Sequence, residues 1–242
     1  VADLNVPESL VGLVFVSHSV EIASGLVTLA RQMAPNVALV AAGGRDDDGI
    51  GTSFDKIAAG ITEADRGGGV VLLCDLGSAI LTAETALDFL DDEVRARVRI
   101  ADAPLVEGGV AAAVAAEIGG DLAAVLAAAQ SAQGGGSAPA ESDSPEPSGT
   151  ASTGEAARPV SRTVTLRNRD GLHARPAADF VKLASGFDAE VTVNGKDAHS
   201  LLGIMSLGLT RGMSVEISGP DERSRAAVDA LADLVETGFG EE

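Results

Sequence analysis

Over the first 130 residues, short wholly apolar runs alternate with stretches in which apolar residues recur at helical spacing. Residues 11–16 (VGLVFV) are continuously apolar, which predicts a buried strand. Ile22, Leu26, Leu29 and Met33 then recur three and four positions apart, the period of a helix with one buried face. Further strands are predicted at 37–40, ended by Gly43-Gly44, at 70–74 and at 98–101. Helices are predicted at 52–64, capped by Thr52 or Ser53, and at 78–90, 107–118 and 121–130. Apolar strands alternating with helices predict an α/β fold, a mostly parallel sheet with helices on both faces.

Past residue 160 the rhythm changes. Residues 163–167 (TVTLR) alternate like a half-exposed strand, and a helix is predicted at 175–184. Residues 190–193 run into Asn194-Gly195, a strong hairpin signal. A short helix near Ser200, a strand at 214–218 and a long helix at 221–237 complete the pattern. This mixture predicts a smaller α+β unit, one antiparallel sheet with helices on one face. Between the two patterns, residues 131–159 hold Gly, Ser, Ala, Pro and acidic residues with almost nothing to bury. They predict a flexible linker with an r.m.s. span of roughly 30 Å. The expected organisation is a domain at 10–130, a linker at 131–159 and a second domain at 160–242. Such a tether would hold the halves at an effective concentration on the order of millimolar. A passive spacer between unrelated domains would have the same composition.

Composition narrows the function. The 242 residues carry a net charge of -19, which opposes binding to a phosphate backbone. Aromatics are only 2%, with no Trp and no Tyr, so base-stacking platforms are absent and no nucleic-acid partner is expected. The one cysteine, Cys74, permits neither an internal disulfide nor a cysteine-based zinc site, and is most simply a small buried residue. No bound cofactor and no metal are expected. No signal peptide or run of membrane-spanning length is visible, so the expectation is a soluble cytoplasmic protein without membrane insertion. The charge is uneven. Residues 1–130 hold 7 basic and 19 acidic residues, whereas 161–242 hold 9 and 13. Four arginines, Arg162, Arg167, Arg169 and Arg175, cluster in the second unit, three of them within eight residues of His173.

Two histidines stand out as candidate phosphoryl carriers. His18 follows the first strand, and Asp75 follows the strand at 70–74. Chemistry in open parallel sheets gathers at the carboxyl ends of strands. If the two are neighbours, Asp75 can accept a hydrogen bond from His18 Nδ1–H and leave Nε2 as the nucleophile. Gly51-Thr52-Ser53 and Gly77-Ser78 each precede a predicted helix, whose free N–H groups favour an anion. Thr52, Ser53 and Ser78 are therefore candidate phosphate-binding residues. No GxxxxGK[ST] run is present, which argues against a Walker-type nucleotide site. A polar residue at a strand end can equally be a plain terminator, and the pattern alone leaves both open. His173 lies in Gly171-Leu172-His173-Ala174-Arg175-Pro176. Pro176 suits a first helical turn, which puts His173 near an N-cap. A phosphoryl group there would meet free N–H groups, including that of Ala174, with Arg175 as a charged donor. An N-capping histidine without chemistry is the plain alternative, and the adjacent Arg and Pro favour the functional reading.

The runs at 14–19 (VFVSHS), 51–56 (GTSFDK), 70–79 (VVLLCDLGSA) and 104–116 (PLVEGGVAAAVAA) resemble one family. It is the enzyme IIA-like domain of the phosphotransferase subunit of PEP-dependent dihydroxyacetone kinase, itself similar to mannose-type enzyme IIA. The resemblance covers nearly all of 10–130. It implies phosphorylation of His18 at Nε2, Asp75 as its partner, and a homodimer through this domain. The run at 171–178 (GLHARPAA), with Asn194-Gly195-Lys196 and 200–208 (SLLGIMSLG), resembles HPr, the histidine phosphocarrier. That resemblance spans about 160–240. It implies phosphorylation of His173 at Nδ1, enzyme I as donor, and an open-faced β-sandwich. Ser200 aligns with a serine modified by a kinase in some HPr proteins, and a helix N-cap is the preferred reading. His199 matches no catalytic position and reads as surface.

Together the resemblances imply a relay from PEP through enzyme I to His173, then His18, then ADP on the nucleotide-binding subunit of dihydroxyacetone kinase. That subunit would serve dihydroxyacetone held by a third, dihydroxyacetone-binding subunit. Some members carry an enzyme I-like segment after HPr, and with the sequence ending at Glu242 enzyme I is expected as a separate protein. The alternatives are a sugar-transport component donating to a mannose-class enzyme IIB, and a regulatory module whose phosphorylation state is sensed.

Overall fold

Four parallel strands covered on both faces account for the apolar runs of the first half. The computed structural model describes residues 9–47, 49–134 and 159–240. These form two compact units. In the first, β1 (Gly12–Ser17), β2 (Leu39–Gly43), β3 (Val70–Cys74) and β4 (Val98–Ala101) make a parallel sheet in the order β2-β1-β3-β4. Helices α1 (Val20–Arg31), α5 (Leu105–Glu117) and α6 (Leu122–Gln130) cover one face. Helices α2 (Phe54–Ala64) and α3 (Gly77–Asp88) cover the other. Burial on both faces removes the in–out alternation of a one-sided sheet, so every residue of β1 and β3 is buried. Val14, Val16, Leu72 and Cys74 pack against Ile57 and Ile61 of α2 and Ala79 and Ala83 of α3.

The close approach of α2 has a sharp consequence. A Cβ on Gly12 would lie 2.2 Å from the Ala64 carbonyl oxygen, a backbone atom that cannot swing aside. Gly12→Ala is expected to destabilise the first unit by about 1–3 kcal/mol through overpacking. Chemical denaturation of the two proteins checks this, with a fall in midpoint at unchanged slope.

Departures from the predicted elements are local. β2 begins at Leu39, later than the apolar run at 37–40, because its ladder starts where Leu13 of β1 supplies a partner. Helix α5 starts at Leu105, directly after Pro104, two residues before the predicted start. A four-residue helix, α4 (Asp92–Arg95), has too few apolar residues to show a period. Residues 131–134, expected in the linker, form a 3-10 turn after α6. Its Gln133 amide donates to the Asp102 carbonyl at 2.6 Å. Most of the expected linker, from 135 to 158, lies outside the described residues.

The second unit is an antiparallel sheet in the order β5-β8-β6-β7. Its strands are β5 (Val160–Thr165), β6 (Thr192–Val193), β7 (Lys196–Asp197) and β8 (Ser214–Gly219). Helices α7 (Ala174–Ala184), α8 (Leu201–Met205) and α9 (Arg225–Glu236) accompany it, with α9 packed on β5 and β8. Val215 and Ile217 are buried while Ser214 and Glu216 are exposed, so the sheet is open on one face. The hairpin turn has φ 45° at Asn194 and 78° at Gly195, the positive values of a two-residue turn. β5 spans 160–165, not 163–167, because its six residues pair with Gly219 back to Ser214. The helix predicted at 221–237 is broken. Asp221 caps a 3-10 turn (Glu222–Ser224), and α9 starts after it.

Candidate active site

Register places the first site. Val16 of β1 lies opposite Cys74 of β3, so the residues that follow, Ser17-His18 and Asp75, emerge side by side. The chain leaves β1 for β2 on one flank and then crosses to β3 on the other. This crevice is where helices diverge at the carboxyl ends of an α/β sheet, the position that favours ligand chemistry.

The Asp75 carboxylate gathers four donors. Its Oδ1 accepts from His18 Nδ1 at 2.8 Å and from the Leu76 N–H at 2.7 Å. Its Oδ2 accepts from the His18 N–H at 2.8 Å and the Ser17 hydroxyl at 2.9 Å. Burial by itself raises the carboxyl's pKa, but the bonds from the His18 N–H, the His18 ring and Ser17 outweigh it and hold the group below its ordinary value. Asp75 is therefore ionised at neutral pH and must be the acceptor. A neutral His18 ring then carries its proton on Nδ1, leaving the Nε2 lone pair outward. Nε2 lies 2.7 Å from the Ser78 hydroxyl in the first turn of α3. The N-cap residue of that helix, Leu76, makes no side-chain cap bond, so anion-favouring N–H groups lie beside the ring. Neighbouring Cys74 is buried, and desolvation pushes its thiol up to about 12, so it stays neutral and inert.

The two hydroxyls after Gly51 have other partners. Thr82 donates to the Ser78 carbonyl at 3.0 Å, so the 2.8 Å contact between Thr52 and Thr82 uses the Thr52 proton. Thr52 thus ties the 51–53 segment to α3, and it is Ser53 that caps α2, accepting from the Lys56 N–H at 3.1 Å. Ser53 also donates to Asp46, which occupies its proton within the fold. Gly51 N–H donates to the His18 carbonyl at 2.9 Å, holding this segment against the site. Sequence reasoning passed over Ser17 and Thr82. The only signal for Ser17 was a polar residue inside an otherwise apolar strand.

The second site is built by a turn and a helix start. Gly171 has φ 69°, and a Cβ there would lie 2.2 Å from the Leu209 carbonyl oxygen, so a side chain is excluded. His173 is the N-cap of α7 and makes no side-chain cap bond. Ala174 and Arg175 open the helix, and their N–H groups have no carbonyl four residues back inside it. His173 Nδ1 lies 3.2 Å from the Gly171 carbonyl oxygen. For Nδ1 to attack phosphorus, that contact must be given up and the ring proton carried on Nε2. Arg175 is exposed and makes no hydrogen bond or ion pair among the described residues. Arg162 does not join it. Its guanidinium lies 2.8 Å from Asp233 and 3.3 Å from Glu236 of α9, which neutralise it. The local basic patch near His173 in sequence is therefore Arg167, Arg169 and Arg175, all exposed. Ser200 caps α8, accepting from the Gly203 N–H at 3.1 Å. His199 bonds Asp197 at 3.0 Å on the surface.

Comparison with known proteins matches the two units to two families. Residues 12–126 match the family model of the PTS system fructose IIA component. Residues 160–237 match that of the PTS HPr component phosphorylation site. The phosphoryl donor subunit of PEP-dependent dihydroxyacetone kinase 2 from Listeria innocua is 39% identical over 118 residues, covering 48% of this chain and 94% of that protein. This chain belongs to the family of phosphoryl donor subunits of PEP-dependent dihydroxyacetone kinases. Within that donor-subunit family, the protein from Pantoea ananatis is 37% identical over 240 residues, 92% of this chain. The chain spans about half the length of such curated relatives, 50% in that case. The second unit is also similar to phosphocarrier protein HPr of Haloferax volcanii, 40% identical over 84 residues that cover 94% of that protein. Among the described residues of this chain, no helix is long and apolar enough to cross a membrane.

Proposed function

We propose that the chain is a phosphohistidine relay delivering phosphoryl groups to ADP on the nucleotide-binding subunit of dihydroxyacetone kinase. The observation that carries this reading is the His18 ring held at Nδ1 by Asp75 at 2.8 Å with Nε2 turned to a helix start. In the first step His173 Nδ1 attacks the phosphorus carried by enzyme I, whose own nitrogen–phosphorus bond breaks. In the second, His18 Nε2 attacks that phosphorus, and the electron pair of the breaking bond returns to His173 Nδ1. Each is an in-line displacement in which positioning and charge do most of the work. His18 keeps its Nδ1 proton throughout, so the phosphorylated ring is cationic and Asp75 stabilises it. Ser78 and the first-turn N–H groups of α3 face the phosphoryl oxygens, and Arg175 with the Ala174 N–H does so at His173. The phosphoryl group travels on the rings, so no bound cofactor enters this reading. The acidic first unit and the exposed arginines beside His173 support mutual attraction between the units.

The reading includes enzyme I as the donor, dihydroxyacetone held on its binding subunit as final recipient, a cytoplasmic setting, and a homodimer through the first unit. Exposed Leu81 within α3 and exposed Phe89 directly after it support the dimer. The acceptor is the decisive test. Chain labelled through PEP and enzyme I is offered the ADP-loaded kinase subunit or a mannose-class enzyme IIB. Loss of label to the kinase subunit is expected. Transfer to enzyme IIB alone would replace the reading with sugar transport, and retention against both would replace it with a sensing role.

A further inference from the structure

Asp75 can hold His18 in one pose only if it is itself held, and its own backbone does not do that. Two of its four donors, the His18 ring and the His18 N–H, belong to the residue it is meant to orient. A third is the N–H of the next residue, Leu76. The remaining one, Ser17, comes from the neighbouring strand and is fully buried. Its hydroxyl has a defined polarity. It accepts the Ser19 N–H at 3.1 Å, and Ser19 is the N-cap of α1. It therefore turns its proton to Asp75 Oδ2, an ionised acceptor that can only receive.

We propose that Ser17 is a positioning residue for phosphoryl transfer, locking the Asp75 carboxylate between β1 and the start of α1 so that His18 presents Nε2. This rests on the reading of His18 as a phosphoryl carrier. With four donors every favourable site on the carboxylate is filled, and rotation about its Cβ–Cγ bond would break several bonds at once. Removing Ser17 leaves Oδ2 with one donor and frees the carboxylate to share its charge less directionally with the ring. The ionised form also loses a donor, so Asp75 titrates at higher pH. The groups facing it are few. His18 reaches it from the β1–α1 junction, and Cys74 before it stays neutral. The Asp75 carboxyl carbon shift, followed by NMR across pH, should record that rise directly.

The experiment uses the full chain with enzyme I and PEP, following label on each histidine by rapid quench and the Asp75 carboxyl titration by NMR. Ser17→Ala is expected to label His173 at the normal rate but pass phosphate to His18 about ten-fold more slowly, as loss of a hydrogen bond to a charged group predicts. Its Asp75 titration is expected at higher pH than in the unsubstituted chain. Ser17→Cys keeps the volume but donates weakly, and is expected to share the displaced Asp75 titration. A normal rate and Asp75 titration in Ser17→Ala, with Asp75→Asn slow, overturns the role of Ser17 and leaves the carrier reading intact. A slow Ser17→Ala with an unmoved Asp75 titration, or an unmoved titration in Ser17→Cys, also overturns it, since packing alone would then explain the loss. Failure of the unsubstituted chain to label His18 instead removes the carrier reading beneath, whereas a normal rate in Asp75→Asn overturns the positioning role and leaves His18 a carrier. Should the Ser17 variants not fold, the hydroxyl proton decides. In the intact chain it is expected to be protected from exchange and visible by proton NMR, and exchange at the rate of a surface serine overturns the proposal.

Discussion

His173→Ala is expected to abolish labelling of both histidines when the purified chain is mixed with enzyme I and PEP. The substitution removes the receiving nucleophile, so the rate should fall at least about a thousand-fold. The fold should hardly respond. His173 is a helix N-cap that makes no side-chain cap bond, so Ala at this position leaves α7 its existing start. An unchanged thermal melt alongside the lost label would separate chemistry from stability. Free HPr could feed His18 directly and hide the effect, so the components must be purified. Normal labelling of His18 in this variant would mean that enzyme I reaches the first unit unaided, and the relay order would be wrong.

His18→Ala gives the complementary result. Label should accumulate on His173 at the normal rate, and delivery to the kinase subunit should fall by a similar factor of about a thousand or more. The local fold is again protected. Asp75 would lose the ring but keep the Ser17 hydroxyl and the N–H groups of residue 18 and Leu76. A carboxylate left with three donors is not a buried unpaired charge, so a large loss of stability is not expected. Delivery at an undiminished rate would make His173 the final donor and reduce the first unit to a scaffold. Together the two variants order the relay without assuming it. One loses both labels, and the other loses only delivery.

The strongest signals in the sequence were those carried by adjacent residues. The run Gly171-Leu172-His173-Ala174-Arg175-Pro176 states a turn, a helix start and a charged donor within six positions, and the structure keeps that local order at the start of α7. Arg162 was misleading for the converse reason. It is close to the other arginines in sequence, but the partners that neutralise it, Asp233 and Glu236, lie about 70 residues on and meet it only because α9 packs on β5. Ser53 and Thr52 were chosen as neighbours of a helix start. The structure commits one to capping α2 with Asp46 as a second partner, and the other to Thr82 on α3.

By itself, then, the sequence determined most of the elements, the parallel character of the first sheet and the open-faced antiparallel one, and the two candidate carrier histidines. These follow from periodicity, turn chemistry and motif, all of which act over a few residues. The tertiary structure alone decided the environment of His18. That environment depends on β1 lying beside β3 with Val16 opposite Cys74, a register that brings residues 17, 18, 75 and 78 together across nearly 60 positions of chain. Hydrogen bonds and carboxylate orientation are set by such juxtapositions to within a few tenths of an ångström, and no local pattern of residue types carries that information.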